Sequence, residues 1–134
     1  MPQPAPAFQP FAWSWVFISM ALFVVLELIM GEGLAHILGG GALSDGTSML
    51  LRNGLQLVAF FLGGAIIGVV SPKLRIIEPA LGAVGCMLLI LVLTWMTPVR
   101  FYGFGGAKLV AACAVSFFTA LAGAITGERV TGNL

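Results

Sequence analysis

Four long runs without a charged residue fill most of this 134-residue chain. Phe11–Leu26, Asn53–Pro72, Pro79–Val99 and Leu109–Gly127 contain no Asp, Glu, Lys or Arg. A bilayer core about 30 Å thick is crossed by about 20 apolar helical residues. The expectation is an all-α membrane protein, a four-transmembrane-helix bundle. Its helices should lie at about 11–30, 46–71, 79–97 and 107–127, within one domain spanning residues 11–127. A Pro-rich extended leader (1–10) precedes that domain and a short polar tail (128–134) follows it.

Composition supports this and removes several classes of function. Charged residues make up 8 % of the chain, against about 25 % in a typical soluble domain. A soluble fold this short would carry an apolar surface patch far larger than monomers tolerate. A net charge of +1 leaves no basic footprint for nucleic acid. The leader has no Lys or Arg, so it lacks the positive region of a secretory signal, and the first apolar run reads as a retained helix. Cys86 and Cys113 both fall inside apolar runs and read as small hydrophobes. No cofactor and no metal is expected, and no nucleophile–base pair is visible in the sequence.

The connections carry the remaining information. Trp13, Trp15 and Trp95 sit where an interfacial aromatic belt belongs. Gly31 and Gly33 should end the first helix, making residues 31–44 the longest connection, with Leu34–Leu38 as a short apolar patch inside it. Ser44 or Asp45 supplies a cap for the second helix. Pro79 suits the first turn of the third. Lys and Arg divide evenly, with Lys73, Arg75 and Arg129 on the side of the termini and Arg52, Arg100 and Lys108 on the other. The compact Lys73/Arg75 loop favours cytoplasmic termini, while the tie also permits insertion in both directions.

Small residues recur at the spacing that lets membrane helices approach closely. Gly64 and Gly68 are four apart, as are Gly123 and Gly127; Ala112, Ser116 and Ala120 continue the row, and Gly82 begins another with Cys86. These faces pack either within one chain or between chains. Gly64-Ala65-Ile66-Ile67-Gly68 and Gly123-Ala124-Ile125-Thr126-Gly127 also form a faint internal repeat, each after a Phe-Phe pair. Two tandem helical hairpins or chance would both account for it.

Glu27 is the ionisable residue inside the first run's helix. Buried carboxylates in membranes often mark proton or ion sites. With Asn53 and Gln56 it forms a candidate ion or proton site, and the bland alternative is a carboxylate snorkelling to the interface. The chain resembles small four-helix multidrug exporters in size and in this first-helix glutamate, but it lacks their surrounding aromatic pattern. Glu32 and His36 would share a face if the helix continued; otherwise they are an interfacial loop pair. Lys73, Arg75 and Glu78 form the tightest charge cluster, bracketed by Pro72 and Pro79. It could dock a partner, meet lipid headgroups, or simply set orientation.

The phrase Gly63-Gly64-Ala65-Ile66-Ile67-Gly68, followed by Ser71-Pro72 and Glu78-Pro79, resembles small four-helix proteins of the bacterial inner membrane. That resemblance implies a location and no activity. The expectation is therefore a non-enzymatic structural or accessory subunit, surrounded by membrane lipid and bound to other membrane subunits or to copies of itself. The alternative is a small oligomeric ion- or proton-coupled transporter using Glu27.

Overall fold

The computed structural model describes residues 10–39, 45–71, 75–96 and 106–132. Among these residues every regular element is helical. Helix α1 runs over Trp13–Glu27 and continues without a break through a π-helical turn, Leu28–Leu34, into a short α2, Ala35–Gly39. Helix α3 covers Asp45–Val70, α4 Ile77–Met96 and α5 Gly106–Val130. Three of these stretches, Trp13–Leu38, Gly46–Val70 and Gly106–Val130, are long and apolar enough to cross a membrane. The apolar part of α4, Ile77–Leu93, is shorter by that measure.

The order of helices around the bundle is not the order in sequence. α3 packs chiefly on α5, α5 on α4, α4 on α1 and α1 on α3, while the sequence neighbours α3 and α4 touch little. The closest packing joins helices that run in the same direction. A Cβ added to Gly82 of α4 would lie 2.6 Å from the Ser19 Cβ of α1, and one on Gly85 would meet Met20. Both registers advance together, so α1 and α4 are parallel.

The α3–α5 pair shows why the glycines are where they are. A Cβ on Gly68 would fall 2.5 Å from the Ala124 carbonyl oxygen, and one on Gly64 would overlap the Ala120 carbonyl. From the other side, a Cβ on Gly123 would overlap the Phe61 carbonyl and one on Gly127 the Ala65 carbonyl. Real Cβ atoms essentially never come closer than 3.0 Å to such atoms. Only glycine allows the two backbones to touch, which maximises dispersion contact. The contacts are also reciprocal. Sliding each residue of the α3 repeat onto its counterpart in α5 turns Gly64–Ala120 into Gly123–Phe61, and Gly68–Ala124 into Gly127–Ala65. That is the pattern of a two-fold, isologous interface, here within one chain. The faint repeat and the packing motif are thus one feature, and two like hairpins, α1–α3 and α4–α5, meet along it.

Beside this seam sits the core. Phe23, Phe60, Ala83, Cys86 and Ala120 form one buried cluster, with Met20, Val24, Met87 and Ile90 against it. The Phe23 and Phe60 rings stack tilted, 5.3 Å apart. Gly63 makes room for Phe23, whose ring edge is 2.5 Å from where a Cβ would stand. Cys86 and Cys113 are free thiols.

Two expected boundaries are corrected. The first helix does not end at Gly31–Gly33, because glycine costs only about 1 kcal/mol in a helix and the alternative leaves backbone groups unpaired. The helical path instead reaches Gly39, and residues 40–44, Ser44 among them, and the Asp45 side chain lie outside what is described. Helix α5 passes Gly127 and ends three residues later. Gly127 serves packing rather than termination. The turn that follows α5 instead places Gly132 at a φ of 75°, with the Gly132 N–H on the Arg129 carbonyl, as a left-handed glycine after a helix does.

A methyl group on Gly64 or Gly123 must push two backbones apart. Gly64→Ala and Gly123→Ala should each lower stability by about 1–3 kcal/mol, the range for overpacking. Gly54→Ala, where nothing lies within 4 Å, should be neutral or raise it by up to about 1 kcal/mol. Thermal unfolding of the three variants in one detergent distinguishes a seam from a general cost of alanine.

Candidate functional site: two polar ends of the bundle

Polar side chains gather at opposite ends. At the end holding the chain's C-terminal residues, Arg75 stands just before α4 and is 8 % exposed. Its Nη1 donates to Glu78 Oε1 at 2.9 Å, one turn into α4. Its guanidinium lies over the Trp15 ring of α1, 5.4 Å from the centroid. Its backbone N–H donates to Glu128 Oε1 at 3.0 Å. Glu128 lies in the last turn of α5 and is wholly buried, and Gly68 passes beside its backbone, 3.1 Å from N to the position a Cβ would take. One residue therefore joins three helices.

The chemistry of this cluster is that of a latch. The first N–H groups of a helix have no partner within the helix and carry partial positive charge. The Glu128 carboxylate accepts from the Arg75 N–H two residues ahead of α4, close to that helix's start, and Glu78 adds a carboxylate in its first turn. The Arg75 guanidinium compensates Glu78 and covers Trp15, a favourable cation–π placement. Its Nε is buried without an acceptor, so the network is tight rather than complete. Arg75 and Glu78 had been candidates for a loop that meets partners or headgroups, and both are turned inward; Lys73 lies outside the described residues. Glu128, read from the sequence as part of a polar tail, is the residue that reading missed. The signal was available: Ser116, Ala120, Ala124 and Glu128 are successive members of one i, i+4 row, and all four are buried.

At the other end stands Glu27, half-buried at the last position of α1. Its carboxylate lies against Gly31 in the π turn, where a Cβ would come within 2.9 Å of Oε1. Gln56 of α3 donates Nε2 to Met87 Sδ at 3.4 Å. Because Phe23 packs on Phe60, Glu27, a turn beyond Phe23, and Gln56, a turn before Phe60, fall at one level of the bundle. Asn53, the third member of the candidate site, is exposed on α3. His36 is exposed on α2, and the Glu32 side chain lies outside what is described.

The packing residues divide in the same way. Gly64, Gly68, Ala120, Gly123 and Gly127 make the α3–α5 seam, and Gly82 makes the α1–α4 contact. Ser116 is buried and returns its Oγ–H to the Ala112 carbonyl at 2.8 Å, so its hydroxyl is satisfied inside α5. Scans of family models, curated proteins and solved structures give no match to this chain.

Glu128→Ala removes the acceptor of a buried N–H and should cost about 1–3 kcal/mol. Arg75→Ala leaves the buried Glu78 carboxylate without its cation and should cost more, about 3–5 kcal/mol. The double variant Arg75→Ala/Glu78→Ala should cost less than the sum, and a double-mutant cycle on thermal stability reads that coupling.

Proposed function

We propose that the chain is a four-span integral membrane protein of the bacterial inner membrane, with cytoplasmic termini, acting as a non-enzymatic structural or accessory subunit. The observation that carries this reading is how the polar and small residues are spent. The described glycine pairs are consumed in the seam between the chain's own halves, and the buried ions at the C-terminal end latch three helices. What points outward is apolar: Phe17, Ile18 and Val25 on α1, Leu62, Ile66 and Val69 on α3, Phe118 on α5. Such a body suits lipid or the flank of another membrane subunit, and a partner would meet these large side chains rather than the glycines. α4 spans about 30 Å as a 20-residue helix, which suffices for a fourth crossing.

A second reading is favoured by one specific arrangement. Glu27 precedes a π turn, a rare winding found often at functional sites, and shares its level with Gln56. This is the setting in which a carboxyl would carry a proton or an ion in a small oligomeric transporter.

Purification of the tagged chain from its native membrane in nanodiscs, with the mass of every component determined, separates the two. Foreign subunits in fixed stoichiometry are the expected result and support the accessory role. A pure homo-oligomer whose ion flux is abolished by Glu27→Gln, with assembly intact, would replace it with the transporter.

A further inference from the structure

The α1–π–α2 helix contains a winding that demands a cause. π-helix accounts for well under 1 % of residues in proteins and appears mostly as a single turn. Here it covers seven residues, Leu28–Leu34, starting directly after Glu27. Closing bonds from i to i+5 places an additional residue in each turn, so the helix beyond a π turn is rotated relative to the helix before it.

The side chain next to the turn is fitted to it. Gly31 is buried, and the space a side chain would need there is filled by the Glu27 carboxyl group, with Oε1 at 2.9 Å and Cδ at 3.3 Å from the Cβ position. These obstructing atoms are the far end of a flexible side chain. An alanine at 31 would therefore evict the carboxylate and leave the backbone in place. Gly33, the other glycine of the turn, is different: a Cβ there would meet only the Leu28 carbonyl oxygen, at an ordinary 3.7 Å.

We infer that Glu27 is a positioning residue for its own helix: its carboxylate, seated on Gly31, holds Leu28–Leu34 in the π winding and so fixes the rotational phase of α2. With the seat vacated, the turn rewinds as α-helix, and α2 rotates by about 100°, one residue's worth of a helix with 3.6 residues per turn. In the phase described, His36, Ile37 and Leu38 are all exposed, and both the π turn and α2 pack on α3. The seat therefore decides which residues of α2 face α3 and which face outward. The inference concerns winding alone and is independent of whether the protein is a subunit or a transporter.

The test is nitroxide accessibility in nanodiscs. The full chain carries a spin label at 36, 37 or 38 through an encoded ketone side chain, which leaves Cys86 and Cys113 untouched. Collision with oxygen and with a nickel chelate reports whether each position faces lipid, water or protein. Gly31→Ala should shift the accessibility profile by one residue, and Glu27→Ala should shift it the same way without adding bulk. Gly33→Ala, which raises helix propensity equally but displaces no carboxylate, should leave the profile where it is. Equal shifts from Gly31→Ala and Gly33→Ala would assign the winding to glycine content and overturn the inference. So would an unmoved profile in Glu27→Ala, which also decides the matter if Gly31→Ala does not fold.

Discussion

The approach of two backbones at four glycines is the constraint on which the rest of this bundle depends. Gly64, Gly68, Gly123 and Gly127 each stand where a methyl group would strike a carbonyl of the opposite helix. Contact at that range gathers dispersion along the whole seam, and Cα–H groups can approach the facing carbonyls. It also fixes register, because a shift by one residue would put Ile67 or Val69 where Gly68 stands, and Thr126 or Glu128 where Gly127 stands. Beside α3 and α5, locked in parallel, α1 and α4 run the opposite way and pack on each other, where Ser19 finds Gly82 and Phe23 finds Gly63. The Phe23–Phe60 core and the side-by-side placement of two hairpins follow from the seam.

The two ends of the bundle use carboxylates in opposite ways. Glu128 is enclosed and answered by a backbone N–H at the start of α4, with an arginine near at hand. Its role is to hold the α4 and α5 ends together. Glu27 is only partly enclosed and lies on its own helix, against a glycine whose missing side chain makes the space. One carboxylate is held by other helices; the other acts on local winding.

Much of this was legible in the sequence, in proportion to how local each signal is. Uncharged runs and i, i+4 glycines state where helices lie and which faces are small, because both follow from one helix at a time. The fourfold glycine spacing could not state its partner. That needs the order of helices around the bundle, which the sequence leaves open between packing within and between chains. The π turn was hidden for another reason: Gly31 and Gly33 are the residues that usually end helices, and their weak propensity is overridden by the need to pair backbone groups. Glu128 was hidden by its place near the chain's end, where a charge suggests solvent, although the row Ser116–Ala120–Ala124 led straight to it. Of the proposed ion site, spacing brought Glu27 and Gln56 to one level, while Asn53 fell on the exposed side of α3.

The order of helices has a consequence for synthesis. A chain emerges from its N-terminus, and helices adjacent in sequence are usually the first able to pair. Here α3 and α4, made consecutively, are nearly strangers, while the glycine face of α3 and the first turn of α4 both wait for α5. Non-local contacts of this kind are closed late. A nascent chain stopped short of α5 would present a bare glycine stripe on α3 and leave the segment entering α4 without Glu128, both of which α5 answers. Closure of the bundle is thus tied to the synthesis of α5, so that a fragment lacking that helix is marked by the surface it fails to hide.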